Sequence, residues 1–299
     1  MKIAPDYNIN KAIEASELII RDDGSIYHLQ LKPEQVADKI IVVGDPNRVK
    51  LISDRFEKVE HRISGREFHT HTGYFNGVRL SVISTGIGVD NIDIVMNELD
   101  AVVNIDLENK TIKKEHRQLE IVRLGTSGSL QEDIPVGSFL VSEYAIGFDG
   151  VLNFYEKSHD EEEIQLMNAF YDQIDYPSAL PKPYIVKGAK DLVGLLAPGN
   201  IKGITATASG FYGPQGRELR LKTLFSEQNT SLGKFRYNGH RITNFEMETS
   251  ALYGLSALLG HKASTVCAII ANRYRKEFTE QPVKVMSDLI DMVLERLTS

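Results

Sequence analysis

Short apolar runs that end in glycine alternate along this chain with stretches of helical spacing, and no other feature restricts its fold so strongly. "KIIVVGDPNRVKLI" is a buried-strand pattern, a Gly-Asp-Pro turn and a helix start. "VRLSVISTGIGVDNIDIVMNELDAVV" repeats the scheme, with Ile92, Val95, Met96 and Leu99 at helical spacing after Asp90. Further strands are predicted in "LEIVRLGTSGSL", "GSFLVSEYAI", "GITATASGFYG", "RITNFEMETSALYGLSALLG" and "KASTVCAIIANRY". The closing "VKVMSDLIDMVLERL" is apolar at 285, 289, 292, 293 and 297, as an amphipathic helix requires. Strands alternating with helices predict a three-layer α/β/α fold around a central mixed β-sheet. No linker or internal repeat divides the 299 residues, so one domain over 1–299 is expected, with 1–25 as an N-terminal arm. The polar stretch 104–118 reads as a solvated excursion. "DEEEIQLMNAFYDQI" reads as a solvent-facing helix whose acidic start suits the helix dipole.

Composition removes several classes of function. A formal net charge of -7 argues against a nucleic-acid partner, which would need a basic face. The one cysteine, Cys267, sits in the apolar run "ASTVCAIIA" and reads as a buried, reduced thiol. "MKIAPDYNINKAIEAS" lacks the apolar core of a signal peptide, and no window approaches 18 apolar residues. A cytoplasmic protein without membrane contact is therefore expected.

Three arginines lie beside glycine turns. Arg48 follows "GDPN", Arg123 precedes a predicted turn of Gly125, Thr126, Ser127, Gly128 and Ser129, and Arg66 sits in "ISGREFHTH". Guanidinium groups, hydroxyls and backbone N–H groups converging from different loops hold an oxyanion well. Arg48 and Arg123 are expected at strand ends, the edge where open α/β sheets bind ligands. "STGIGVDN" has Asn91 where a dinucleotide fingerprint needs its third glycine, so it reads as a strand-to-helix turn. Glu246 and Glu248 in "NFEMETSALYGL" point the same way if the segment is extended. As pure acceptors they suit vicinal sugar hydroxyls better than the opposed carboxylates of a glycosidase. In "SGFYGPQGRELRL", Gln215 offers a donor beside an acceptor, Arg217 offers donors, and Phe211 offers a ring for stacking. That set complements a planar heterocycle such as uracil. His61, His69 and His71 lack the acids or cysteines that would complete a metal site, and no metal is expected.

Together, "YHLQL", "GDPNRV", "GREF", "STGIG", "RLGTSG", "FYGPQGR", "FEMETSAL" and "ANR" resemble, in order, the motifs of the nucleoside phosphorylase superfamily, and within it the uridine-cleaving branch. The resemblance runs from about "IYHLQL" to the C-terminus. It implies phosphorolysis of uridine to uracil and ribose 1-phosphate, with inorganic phosphate as co-substrate and no cofactor. Phosphate binding is implied for Gly44, Arg48, Arg123 and Thr126, with Arg66 reaching the same phosphate from a neighbouring subunit. Ribose binding is implied for Glu246, Met247 and Glu248, and for His28 at the 5′-hydroxyl across the subunit interface. Base binding falls to Phe211, Gln215, Arg217 and Arg273, with Arg123, Arg217 and Gln215 as the catalytic set. A homodimer is the smallest active unit implied, extended to a hexamer if three dimers associate.

The chain departs from the family at three places. Pro214 stands where glycine usually precedes the base-reading glutamine, and Asn272 stands where purine-cleaving relatives carry an aspartate. Glu67 matches the glutamate of an interface potassium site, but Asn91 replaces its serine, which argues against that ion. Alternatives on the same fold are a purine or broad-specificity phosphorylase, a hydrolytic nucleosidase and a nucleoside-binding protein without turnover. A nucleosidase would use water and would not need three phosphate arginines.

Overall fold

The computed structural model describes residues 11–299; residues 1–10 of the expected arm lie outside the described residues. Strand β1 (Lys39–Val43) leads through Gly44 into α1 (Pro46–Ser53), where the Asp45 side chain accepts the Asn47 N–H as N-cap. Proline at the first helical turn sacrifices no hydrogen bond there. A meander of β2 (Lys58–Gly65), β3 (Phe68–Phe75) and β4 (Val78–Ser84) feeds α2 (Val89–Asn104). A small hairpin, β5 (Ile105–Asp106) and β6 (Thr111–Ile112), precedes β7 (Glu120–Ser129) and β8 (Phe139–Gly147). Next come α3 (Glu161–Gln173), β9 (Tyr184–Lys187), α4 (Lys190–Leu196) and β10 (Ile201–Thr207). The chain finishes with α5 (Gln228–Lys234), β11 (Arg236–Tyr237), β12 (His240–Glu246), α6 (Thr249–Leu258), β13 (Lys262–Asn272), β14 (Glu277–Phe278) and α7 (Pro282–Thr298). No helix of the structure is long and apolar enough to cross a membrane among the described residues.

The main sheet is mixed and runs β11-β12-β10-β8-β13-β7-β1-β4-β3-β2. Strand β1 is parallel to both β4 and β7, β7 is parallel to β13, and β13 is antiparallel to β8. Strand β12 also pairs with the end of β7, at Asn244↔Ser129 and Phe245↔Gly128, so five strands close on themselves. Helices cover both faces. Ile40 and Val42 of β1 face α2 and α6 through Ile92, Val95, Leu99, Leu252 and Leu255. Ile41 and Val43 face α1 and α7 through Val49, Ile52, Leu289, Ile290 and Val293. Burial on both sides explains why the central strands read as continuous apolar runs rather than alternating ones. The three-layer α/β/α architecture expected from the sequence is the one observed.

Tertiary contacts decide several local details. Residues 125–129 are not a turn: β7 continues through Ser129, because β13 and β12 both supply ladder partners there. Arg123 therefore lies within a strand, not at its end. The excursion 104–118 is tied down by the β5–β6 hairpin, by His116 and Gln118 side chains bonded to Leu259 and Gly260 carbonyls, and by the Lys262 N–H to Leu119 O bond that follows it. From residue 11 onward the arm packs on the body, with Leu18 and Ile26 buried in the α2 core and the Ile13 N–H donating to Lys110 O. On β3 the threonines Thr70 and Thr72 point inward and are fully buried, while His69 and His71 are half-exposed. The acidic-start helix is observed as α3, but it is only partly solvent-facing. Asp160 and Glu163 form its capping box, and Leu166 and Phe170 are buried.

Helix α7 packs its apolar stripe on one face of the sheet, beside hydrogen bonds from Lys39 to Leu297 O and from Arg55 to Ser287. Leu289→Ala is expected to lower the unfolding free energy by about 2–5 kcal/mol, the cost of a buried leucine cavity. Denaturant titration of the two proteins measures it, and a change below about 1 kcal/mol would show that α7 contributes little to that core.

Candidate active site

The C-terminal ends of β1, β7, β12 and β13 open onto a cavity of 1190 Å³. Arg48 enters it from α1. Among the described residues its guanidinium has no carboxylate partner, and burial, opposed by Asp45, lowers its pKa. An unpaired, partly desolvated cation is the condition under which an added anion binds best. Gly44 lies beside it, and a Cβ there would come within 3.3 Å of Gly86 O. Thr126 lines the same region from β7.

Arg123 is fully buried between two carboxylates. Its guanidinium lies 3.0 Å from Glu246 Oε2 and donates to Glu248 Oε2, while its Nε has no protein partner. Burial alone would depress its pKa, but Glu248 and Glu246 outweigh burial and raise it. Glu248 is raised by burial and by Glu246, against the pull of Arg123. A Cβ at Gly125 would meet Arg123 Nη1 at 2.3 Å, which explains the glycine two residues after the arginine. Burial pushes the Cys267 thiol below this guanidinium up to about 11, so it is held as an inert thiol.

The two glutamates differ in what they have left to offer. Glu246 accepts from Thr207 Oγ1 (2.6 Å) and from the N–H groups of Glu248 and Thr249, besides facing Arg123. It caps the start of α6 and holds the arginine. Glu248 accepts only the Gly88 N–H (2.7 Å) and Arg123 among the described groups, so acceptor capacity remains for sugar hydroxyls. Met247 lies between them on the cavity wall. The "STGIG" segment is a strand-to-helix turn as expected, with Gly86 and Gly88 at positive φ.

Across the cavity, Pro214 lies in a short 3-10 turn, Gly213–Gln215, closed by left-handed Gly216. Its fixed φ suits the turn that buries Gln215. Gln215 Oε1 accepts from Arg217 Nη1 and Arg273 Nη2, both at 2.7 Å, and Gln215 O accepts from Arg273 Nη1 at 2.6 Å. With the amide oxygen held by two cations, its NH₂ group has no protein acceptor among the described residues. Burial lowers both arginines, Arg273 to about 10 with help from Arg217. Arg217 also lies 3.8 Å over the Phe211 ring, which is half-exposed at the cavity mouth. Asn272 is buried and spends its side chain inside the protein, donating to Gln131 O and Ile134 O and accepting from the Tyr274 and Arg275 N–H groups.

Two of the expected site residues, His28 and Arg66, do not line this cavity. They lie together elsewhere: Arg66 is over the Tyr27 ring at 5.9 Å, and Tyr27 meets His28 edge-on at 4.7 Å. Of the histidines weighed for a metal, His71 instead bonds Ser53 Oγ at 2.7 Å. Asp100, His116 and His261 bring ligand atoms within 4.8 Å outside the cavity. The Leu119 N–H donates to His261 Nδ1, so the proton sits on Nε2, where a metal would bind. Sequence reading missed Lys276, Glu277 and Phe278, which complete the cavity wall from the loop after β13. Only the β13–β14 pairing brings them there, and no residue type announces it.

Residues 38–297 match the model of the phosphorylase superfamily. The chain is 30% identical to a uridine phosphorylase of Thermococcus kodakarensis, over 86% of this chain and 81% of that one. It is 29% identical to a DeoD-type purine nucleoside phosphorylase of Streptococcus suis, over 90% and 98%. A solved nucleoside phosphorylase of Trypanosoma brucei, described as showing uridine phosphorylase activity, superposes with a TM-score of 0.81 at 31% identity, covering 94% of this chain and 99% of that one. With its fold and nearly its whole length shared in this way, the chain belongs to the phosphorylase superfamily.

Proposed function

We propose that this protein cleaves uridine with inorganic phosphate, reversibly, to uracil and ribose 1-phosphate. One observation carries the reading: unpaired Arg48 and carboxylate-held Arg123 share a cavity with Gln215, whose amide two arginines orient. Phosphate binds Arg48, Arg123, Thr126 and the Gly44 backbone. Glu248 takes the ribose 2′- and 3′-hydroxyls, supported by Met247 and by Glu246 through Arg123. The Gln215 NH₂ and the free donors of Arg217 meet the uracil carbonyls, with Phe211 and Arg273 completing the base site.

The reaction follows from charge. A phosphate oxygen forms a bond to C1′ as the C1′–N1 bond breaks, and the bonding pair leaves with the base. The dianion beneath the sugar stabilises its oxocarbenium character, and Arg217 with Gln215 receives the charge developing on uracil. Holding both reactants in line removes much of the entropic barrier. No covalent enzyme intermediate is involved, and the set uses neither cofactor nor metal.

Within one chain the two arginines at the phosphate end are offset by two carboxylates, Glu246 and Glu248. A further cation is needed to favour a dianion there. Arg66 is exposed, outside its own cavity and clustered with Tyr27 and His28, which supports its service to a neighbouring subunit. A homodimer is then the smallest active unit, a trimer of dimers the larger form, and the cytoplasm the site of action. Purine-cleaving relatives are also similar to this chain, but Asn272 has neither a proton to give a purine nor a free bonding position.

Uracil release from uridine is expected only when phosphate is added, with little base released from inosine under the same conditions. Release without phosphate would move the protein to the hydrolases. Arg48→Ala is expected to raise the KM for phosphate by at least tenfold, since it removes a charge-assisted contact. Gln215→Ala should instead erode discrimination between uridine and other nucleosides. Equal loss on every nucleoside in the glutamine variant would contradict the base-site assignment.

A further inference from the structure

Helix α2 begins at the cavity, where the Gly88 N–H at its N-cap holds Glu248. Ten residues further, roughly 15 Å along the axis, the same helix carries Glu98, a carboxylate with a side chain only 14% exposed. Three N–H groups of the segment after the arm converge on it. The His28 N–H is shared by both oxygens at 3.1 and 3.0 Å, the Leu29 N–H reaches Oε2 at 2.9 Å, and His28 Nδ1 lies 2.6 Å from Oε1. A carboxylate in this position accepts only, so the Nδ1 partner must be an N–H. In the neutral ring the lone pair is then on Nε2. The ring plane is held as well, edge-on to Tyr27 at 4.7 Å and to Phe68 at 6.4 Å.

We propose that Glu98 is a positioning residue for the neighbouring subunit's sugar site: it locks His28 as the Nδ1–H tautomer and thereby presents Nε2 as a bare acceptor for the 5′-hydroxyl proton. The inference rests on the proposed function for the substrate and on His28 acting across the interface. What it adds is the origin of the hydrogen-bond direction. The enzyme selects a nucleoside with a donor at C5′, and it does so through a carboxylate that never touches substrate. One helix thus serves two active sites, orienting its own ribose carboxylate at its first turn and the partner's 5′-hydroxyl acceptor at its third.

Glu98→Gln tests this, because the amide oxygen still accepts the two backbone N–H groups while its NH₂ faces Nδ1. Nδ1 must then carry the lone pair, and Nε2 becomes a donor. The preference for uridine over 5′-deoxyuridine, measured as a ratio of kcat/KM values, is expected to fall about tenfold, the worth of one hydrogen bond. The rate on 5′-deoxyuridine should stay within about twofold of wild type, and adding the substitution to His28→Ala should leave the ratio of that variant unchanged. Equal losses on both nucleosides would reduce Glu98 to a structural anchor and overturn the proposal. Nitrogen-15 spectra of the histidines, taken at about pH 8 where the unperturbed ring is neutral, give a second answer without turnover. A proton on Nδ1 of His28 in the wild type, moved to Nε2 in Glu98→Gln, supports the assignment; a wild-type ring protonated on Nε2 overturns it. Absence of any uracil release by the wild type would defeat the proposed function and the substrate half of this inference, while the spectra would still decide whether Glu98 sets the tautomer.

Discussion

Arg123, buried between Glu246 and Glu248, is the contact on which the site depends. It joins β7 to the junction of β12 and α6, 125 residues away at Glu248. Removing the guanidinium would leave two buried carboxylates without compensation, and breaking such buried pairs commonly costs several kcal/mol. The triad therefore holds its geometry firmly while leaving the Arg123 Nε without a protein partner. Gly125 belongs to the same arrangement, since any side chain there would strike the guanidinium.

Sheet closure makes this contact possible. Because β12 pairs with the last residues of β7, the carboxylates arrive beside Arg123 instead of across an open sheet. The parallel pairing of β7 with β13 brings Arg273 to the same end, where it clamps Gln215. The groups lining the cavity thus come from β1–α1, β7, β12–α6 and β13, and the Gln215 turn after β10 is held through Arg273 and Asn229. Arg123, Glu246, Glu248, Gln215 and Arg273 are each oriented by another polar group before a ligand arrives, which is the condition for electrostatic stabilisation without reorganisation.

Much of the site was legible in local sequence. Arg48 after "GDPN", the paired acids of "EME" and the Gln-Arg set of "FYGPQGR" announce themselves by residue type and spacing. Their division of labour was not. Glu246 and Glu248 look equivalent in sequence, yet one is saturated by backbone and arginine while the other keeps free acceptor positions. Reading "GTSGS" as a turn followed from its glycine and serine content, but two neighbouring strands overrode that preference. Glu98 carried no signal at all, being one charged residue on an amphipathic helix.

Sequence alone determined the alternation of strands and helices, the apolar faces that bury β1 and α7, and the residue types of most groups that line the cavity. These are local properties, set by periodicity, side-chain chemistry and turn residues. Tertiary structure decided which groups are paired, which remain free, and that His28 and Arg66 do not line the cavity of their own chain. Those outcomes depend on contacts between residues separated by 70 to 160 positions, as in His28 with Glu98 and Gly88 with Glu248. No local pattern records such distances, because the pairing energy exists only once the sheet has closed and water has been excluded from the groups it brings together.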